Sequence, residues 1–140
     1  MGVHDMLRKT LIALMALMLL SSLAWAANTG ISFKVITAED LKAEMEKGKS
    51  KVLVVDARTP DEYKQGHIPG AINLPPSKFR AIAGYLPMNK RTPLVFYCRG
   101  YNCTLSQSAA TEALRAGYTD IRLFRGGFPE WAQKGYKIAK

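Results

Sequence analysis

The sequence predicts an α/β domain, a mostly parallel sheet with helices over both faces. Three observations carry this expectation. Strand-like and helix-like segments alternate along the chain, the pattern of βαβ units. Two of the strand segments, Val52–Val55 and Leu94–Tyr97, are continuous apolar runs, as expected for strands buried on both sides. The length of 140 residues, with 48% hydrophobic and 22% charged, allows one domain. That composition excludes a disordered tail, a collagen-like rod and a multi-span membrane protein.

The elements follow in order. Phe33-Lys34-Val35-Ile36 reads as a short strand. Thr37 caps a helix running to about Lys47, with Glu39 and Asp40 in the first turn and Gly48 beyond the end. After the Val52–Val55 strand, Thr59-Pro60-Asp61-Glu62 supplies an N-cap, a proline at the first helical position and acids in the first turn. Ala71–Leu74 is a brief strand stopped by Pro75-Pro76, and Ser77 is expected to cap a helical turn reaching about Gly84. Beyond the Leu94–Tyr97 strand, Leu105 to Ala116 reads as a helix, with Ala109, Ala110, Ala113 and Leu114 available for close packing and Gly117 at its end. Ile121–Phe124 is the last strand, and Phe128 to Lys134 the last helix, stopped by Gly135. No internal repeat, low-complexity segment or interior linker interrupts the series.

Residues 1–26 read as an address rather than as part of the domain. Arg8-Lys9 is followed by the apolar run Leu11–Leu20, then Ser21-Ser22, then Ala24-Trp25-Ala26. A basic start, a short apolar stretch and a small-x-small triplet describe a secretory signal peptide cleaved after Ala26. Residues 27–32 form a short N-terminal segment, and 33–140 the domain. Ten unbroken apolar residues fall short of the roughly 20 that span a bilayer. The alternative is a retained anchor from Leu11 to Ala27, at the lower limit of that length. Cleavage predicts a periplasmic or secreted protein without stable membrane insertion.

The net charge is +9, from 20 Lys and Arg against 11 Asp and Glu. Cleavage removes Arg8, Lys9 and Asp5, lowering it by one unit. A positive surface favours anions. The basic residues are scattered without aromatic interleaving, so no nucleic-acid partner is expected. Two cysteines make no disulfide scaffold and allow one internal bridge. Cys98, Cys103 and the distant His67 do not supply a closed zinc site, so no metal is expected. There is no phosphate-binding glycine loop, since Gly126-Gly127 lacks the wider fingerprint, and no cofactor is expected.

Both cysteines fall in one stretch, Cys98-Arg99-Gly100-Tyr101-Asn102-Cys103-Thr104, between the Leu94–Tyr97 strand and the following helix. Open α/β sheets bind ligands beyond the carboxyl ends of their strands. A loop wrapped around a thiol at a helix start directs backbone N–H groups inward, and the helix dipole adds positive potential. Both stabilise a thiolate and an anionic substrate, and Arg99 is a source of a full charge. The bland alternative is that Cys98 is a buried core residue.

Longer motifs are consistent with chemistry at this loop. Val54-Val55-Asp56-Ala57-Arg58, Glu62-Tyr63 and Gly66-His67-Ile68-Pro69-Gly70-Ala71-Ile72-Asn73-Leu74-Pro75 resemble the first signature of the rhodanese family. Val95-Phe96-Tyr97-Cys98-Arg99, Ala109-Ala110, Leu114, Gly117-Tyr118, Gly126-Gly127-Phe128, Trp131 and Gly135-Tyr136 resemble its second half. The resemblance runs from about Ile36 to Ile138. It implies a three-layer α/β/α rhodanese-like fold with a five-stranded, mainly parallel sheet. It also implies a sulfurtransferase, in which Cys98 takes sulfane sulfur from a small anionic donor such as thiosulfate. The resulting persulfide passes the sulfur to a thiol or cyanide acceptor. The backbone of Arg99, Gly100, Tyr101, Asn102, Cys103 and Thr104 would cradle the donor and the departing sulfite. Asp56 and Arg58 are supporting candidates, as an ion pair or loop-orienting groups. His67 is expected to brace a turn, and Trp131 to pack.

The loop departs from the commonest family pattern. Ala109-Ala110 lies two residues further from Cys98 than usual, and Cys103 stands where a second arginine is common. A subset of the family shares the longer loop and second cysteine. In a sulfurtransferase, Cys103 would attack the Cys98 persulfide, protect it or stand by; two alternatives also stay open, a redox protein using a reversible Cys98–Cys103 disulfide and a non-catalytic binding module. Phosphatase chemistry requires an arginine six residues after the cysteine, where this chain has Thr104.

Overall fold

The computed structural model describes residues 2–4, 31–48 and 52–140. The expected signal segment and its cleavage site lie outside the described residues, apart from 2–4. Among the described residues no helix is long and apolar enough to cross a membrane.

Residues Phe33–Lys140 form the domain. Its strands are β1 (Lys34–Val35), β2 (Leu53–Asp56), β3 (Ile72–Asn73), β4 (Leu94–Tyr97) and β5 (Ile121–Phe124). They pair in the order β1-β5-β4-β2-β3, and every pairing is parallel. The helices are α1 (Ala38–Glu46), α2 (Pro60–Gln65), α3 (Leu105–Arg115) and α4 (Gly127–Gln133), with a 3-10 segment at Pro76–Gly84.

The apolar runs of β2 and β4 divide their side chains between two cores, because successive residues of a strand point to opposite faces. Val55, Leu94 and Phe96 pack with the 3-10 segment and with Ala109, Ala110 and Ala113 of α3. Val54, Val95 and Tyr97 pack with Ala38 and Leu41 of α1 and Trp131 of α4. The three alanines let α3 lie close to the sheet.

Helix starts follow local chemistry. Thr37 caps α1 by accepting from the Asp40 N–H. Thr59 and Glu62 form a reciprocal capping box on α2, with Pro60 in the first turn. Two local expectations are corrected. Ser77 is not a cap; the 3-10 segment begins at Pro76, where the proline ring presets a helical φ and no side chain caps the start. Leu114 does not join the packing: it is 42% exposed, because it lies about 100° round the helix from the buried Ala113.

Candidate active site

Cys98 directly follows β4, the central strand, at the carboxyl edge of the sheet. It is 1% exposed. Residues 99–104 rise above it and lead into α3, and Arg99 to Leu105 line an open cavity of about 560 Å³. The Cys103 N–H donates to the Gly100 carbonyl at 3.0 Å, closing a tight turn. Gly100 has φ +123°, a conformation that glycine takes without a Cβ clash. This turn brings Cys103 back over Cys98, and the two are joined in a disulfide with Cα atoms 6.2 Å apart. Cys103 remains partly exposed and lines the cavity, whereas Cys98 lies beneath.

The loop residues take different roles. The Cys103 N–H is spent on the turn, while those of Arg99, Gly100, Tyr101, Asn102 and Thr104 meet no backbone acceptor among the described residues. Thr104, the N-cap residue of α3, makes no side-chain capping bond, so this end of the helix offers donors to the cavity side. Arg99 does not aim a free charge at Cys98. Its Nε and Nη2 each donate to the Glu62 carboxylate at 2.6 Å. That guanidinium holds the Glu62 carboxyl down at about 2.

Asp56 and Arg58 lie beside the loop, in a buried pair. Arg58 Nη2 donates to Asp56 Oδ2 at 2.6 Å and to the Gly66 carbonyl at 2.7 Å. The Tyr97 hydroxyl donates to the same carboxylate at 2.6 Å. Burial first, and then the Asp56 charge, push the Tyr97 phenol well up, so it stays protonated as a donor. The pair reaches the loop indirectly. The Arg58 guanidinium sits 4.3 Å from the Phe128 ring centroid, and the Phe128 N–H donates to the Cys98 carbonyl at 3.0 Å.

His67 bonds within its own turn. Its Nδ1–H donates to the Tyr63 carbonyl at 2.8 Å, and its ring stacks on Tyr63. Its backbone also pairs with Ala139. Trp131 is 3% exposed and donates to the Lys137 carbonyl. Among the described residues no three His, Cys, Asp or Glu side chains group as a metal site.

Four contributors to the site were not assigned from the sequence. Gly127 has φ +63°, and a Cβ there would stand 2.4 Å from the Cys98 carbonyl oxygen. Arg125 donates to the Tyr101 carbonyl at 3.0 Å, and the Tyr101 hydroxyl donates to Glu130. Glu62 holds Arg99, as above. The Thr59-x-x-Glu62 spacing is a readable capping-box signal, and Gly126-Gly127 a readable turn signal. Nothing local marks Arg125 or Glu130.

A parallel α/β sheet with a cysteine-bearing loop at the carboxyl end of its central strand defines the class. Within it, the rhodanese-like domain model matches residues 37–134, and the chain belongs to that family. It is 35% identical over 100 residues to the thiosulfate sulfurtransferase GlpE of Shewanella oneidensis, covering 71% of this chain and 93% of that one. It is 34% identical over 101 residues to the uncharacterised protein YqhL of Bacillus subtilis, covering 72% and 74%. A rhodanese-related protein from Thermoplasma volcanium superposes with a TM-score of 0.64 at 26% identity, covering 76% of this chain and 98% of that one.

Proposed function

We propose that the protein is a sulfurtransferase that carries sulfane sulfur on Cys98. The observation that carries this reading is the position of Cys98 just after β4, beneath a loop that leaves five of its six N–H groups without a backbone acceptor among the described residues and leads into α3. In the reduced protein, the Cys98 thiolate attacks the outer sulfur of a donor such as thiosulfate. The donor S–S bond breaks, sulfite leaves with the electron pair, and Cys98 holds a persulfide. Loop N–H groups and the positive end of α3 stabilise the anionic sulfurs. An external thiol or cyanide then takes the outer sulfur.

The resemblance to the thiosulfate sulfurtransferase of Shewanella oneidensis supports thiosulfate as a first donor to try. The sequence of residues 1–26 supports action outside the cytoplasm, in the periplasm or secreted, after cleavage following Ala26. The test is to add thiosulfate to reduced protein and assay the sulfite released, in the presence and absence of cyanide. Release of one sulfite per protein, lost with Cys98→Ala, and formation of thiocyanate when cyanide is present are the expected results. Absence of sulfite release would sink the reading and favour a binding module.

The Cys98–Cys103 disulfide favours a second reading, a redox protein that exchanges dithiols without sulfur transfer. Dithiol turnover by a protein that never takes sulfur from thiosulfate would select it.

A further inference from the structure

We infer that Cys103 is a second catalytic residue, which resolves the Cys98 persulfide and makes the protein a dithiol-dependent releaser of hydrosulfide. The inference rests on the sulfur-carrier reading of Cys98 and adds a route by which the sulfur leaves.

The geometry starts from the turn. The Cys103 N–H bond to the Gly100 carbonyl and the positive φ of Gly100 fold the loop back on itself. Arg125, holding the Tyr101 carbonyl, and Tyr101, holding Glu130, fix the crest of the loop from the side of α4. The outcome is that Cys103 meets Cys98 at bonding distance, with a Cα separation of 6.2 Å inside the usual disulfide range of roughly 4.4–6.8 Å. Any sulfur on Cys98 is therefore formed within reach of a second thiol held on the same loop. An intramolecular thiol has a large advantage in effective concentration over a free acceptor.

The step balances. The Cys103 thiol attacks the inner sulfur, the Sγ of Cys98, forming the Cys98–Cys103 bond. The bond between Cys98 Sγ and the outer sulfur breaks, and the outer sulfur leaves with the electron pair and the Cys103 proton as HS⁻. The two protein sulfurs are oxidised to the disulfide, and the sulfane sulfur is reduced. A dithiol then reduces the disulfide and is itself oxidised. Over one cycle, thiosulfate and a dithiol give sulfite, hydrosulfide, an oxidised dithiol and a proton.

Burial sets the order of the reductive step. Cys98 is 1% exposed, whereas Cys103 lines the open cavity. An incoming thiolate reaches the Cys103 sulfur first, forms the mixed disulfide there, and frees Cys98 as the thiolate needed for the next donor. The disulfide form is thus the product state of one turnover, with the nucleophile covered until a dithiol arrives.

The experiment is a single turnover under anaerobic conditions. Reduced protein, freed of reductant, is mixed with stoichiometric thiosulfate; sulfite and sulfide are assayed and the protein is weighed intact. The wild type should release sulfite and sulfide in equal amounts and end lighter than its reduced form by two hydrogens. Cys103→Ser should release sulfite but no sulfide and end heavier by one sulfur atom. Cys103→Ala repeats the measurement, and circular dichroism reports whether each variant is folded. A wild type that keeps the persulfide and releases no sulfide overturns this inference and leaves the sulfur-carrier reading intact. Folded Cys103 variants that release no sulfite and gain no sulfur overturn the sulfur-carrier reading itself. With excess dithiothreitol, sulfide release should become continuous in the wild type; a Cys103 variant equally fast would also overturn the inference.

Discussion

The Arg99 guanidinium lies against the Glu62 carboxylate through two 2.6 Å hydrogen bonds, joining the cysteine loop to the first turn of α2. Glu62 also accepts from the Thr59 N–H and hydroxyl. One carboxylate thereby caps a helix and holds the first residue after Cys98. The loop cation is occupied by this partner, which leaves the cavity lined mainly by loop backbone N–H groups and the N-terminal end of α3.

Glu62→Gln separates the two duties, because glutamine still accepts from the Thr59 N–H but carries no charge. Partly exposed ion pairs contribute at most about 1 kcal/mol, and the Arg99 and Glu62 side chains are 45% and 29% exposed. The variant should therefore lose about 1 kcal/mol or less near neutral pH. Folding lowers the Glu62 carboxyl from its ordinary 4.5 to about 2, so its contribution is full above pH 4.5 and fades as pH falls towards 2. Urea denaturation of both proteins across that window should show their stabilities converging at the acid end.

The Asp56–Arg58 pair should resist single substitution. Arg58→Met leaves a carboxylate in a fully buried position with only the Tyr97 hydroxyl and the Arg58 backbone N–H to serve it. The expected cost is about 3–5 kcal/mol. Tyr97→Phe removes the charge-assisted bond to Asp56 and the acceptor of the buried Ile68 N–H, and should cost at least about 1.5–3 kcal/mol. Chemical denaturation measures both, and an Arg58→Met protein as stable as the wild type would contradict the assigned role.

Gly127→Ala tests the contact between the α4 turn and the cysteine loop. An added Cβ would overlap the Cys98 carbonyl at 2.4 Å and would stand on a backbone with φ +63°. The left-handed backbone alone costs about 1–3 kcal/mol, and relieving the overlap must displace Cys98. Sulfite release from thiosulfate should slow by an order of magnitude or more in folded variant protein, read by a timed sulfite assay.

Gly100→Ala tests the turn that joins the cysteines. Its added Cβ would make ordinary contact with the Gly126 carbonyl at 3.6 Å, so the φ of +123° is the main obstacle. Opening the turn should separate Cys103 from Cys98. Protein prepared without reductant should then contain more free thiol than the wild type by thiol titration.

The local sequence was informative where local physics decides the outcome. Val52–Val55 and Leu94–Tyr97 announce two-sided strands, because a strand buried on both faces has no polar side to show. Thr37 and Thr59 announce helix starts, since their hydroxyls satisfy N–H groups three residues on. Ser77 misled, because a cap residue competes with Pro75-Pro76 and the proline geometry won. Leu114 misled for a different reason: apolar character does not say which side of a helix meets the sheet.

By itself the sequence determined the α/β class, the order of the elements and the placement of both cysteines on the loop after the Leu94–Tyr97 strand. The tertiary structure decided what that loop is made to do. Arg99 could have faced Cys98, yet it pairs with Glu62, 37 residues away. Arg125 reaches the loop across 24 residues, and Gly127 is held at the Cys98 carbonyl by the junction of β5 and α4. Such contacts depend on which chain ends the parallel sheet brings side by side, and no local propensity encodes them. The two cysteines are close enough in sequence to meet or to miss. The turn at Gly100, supported by these distant partners, brings them together.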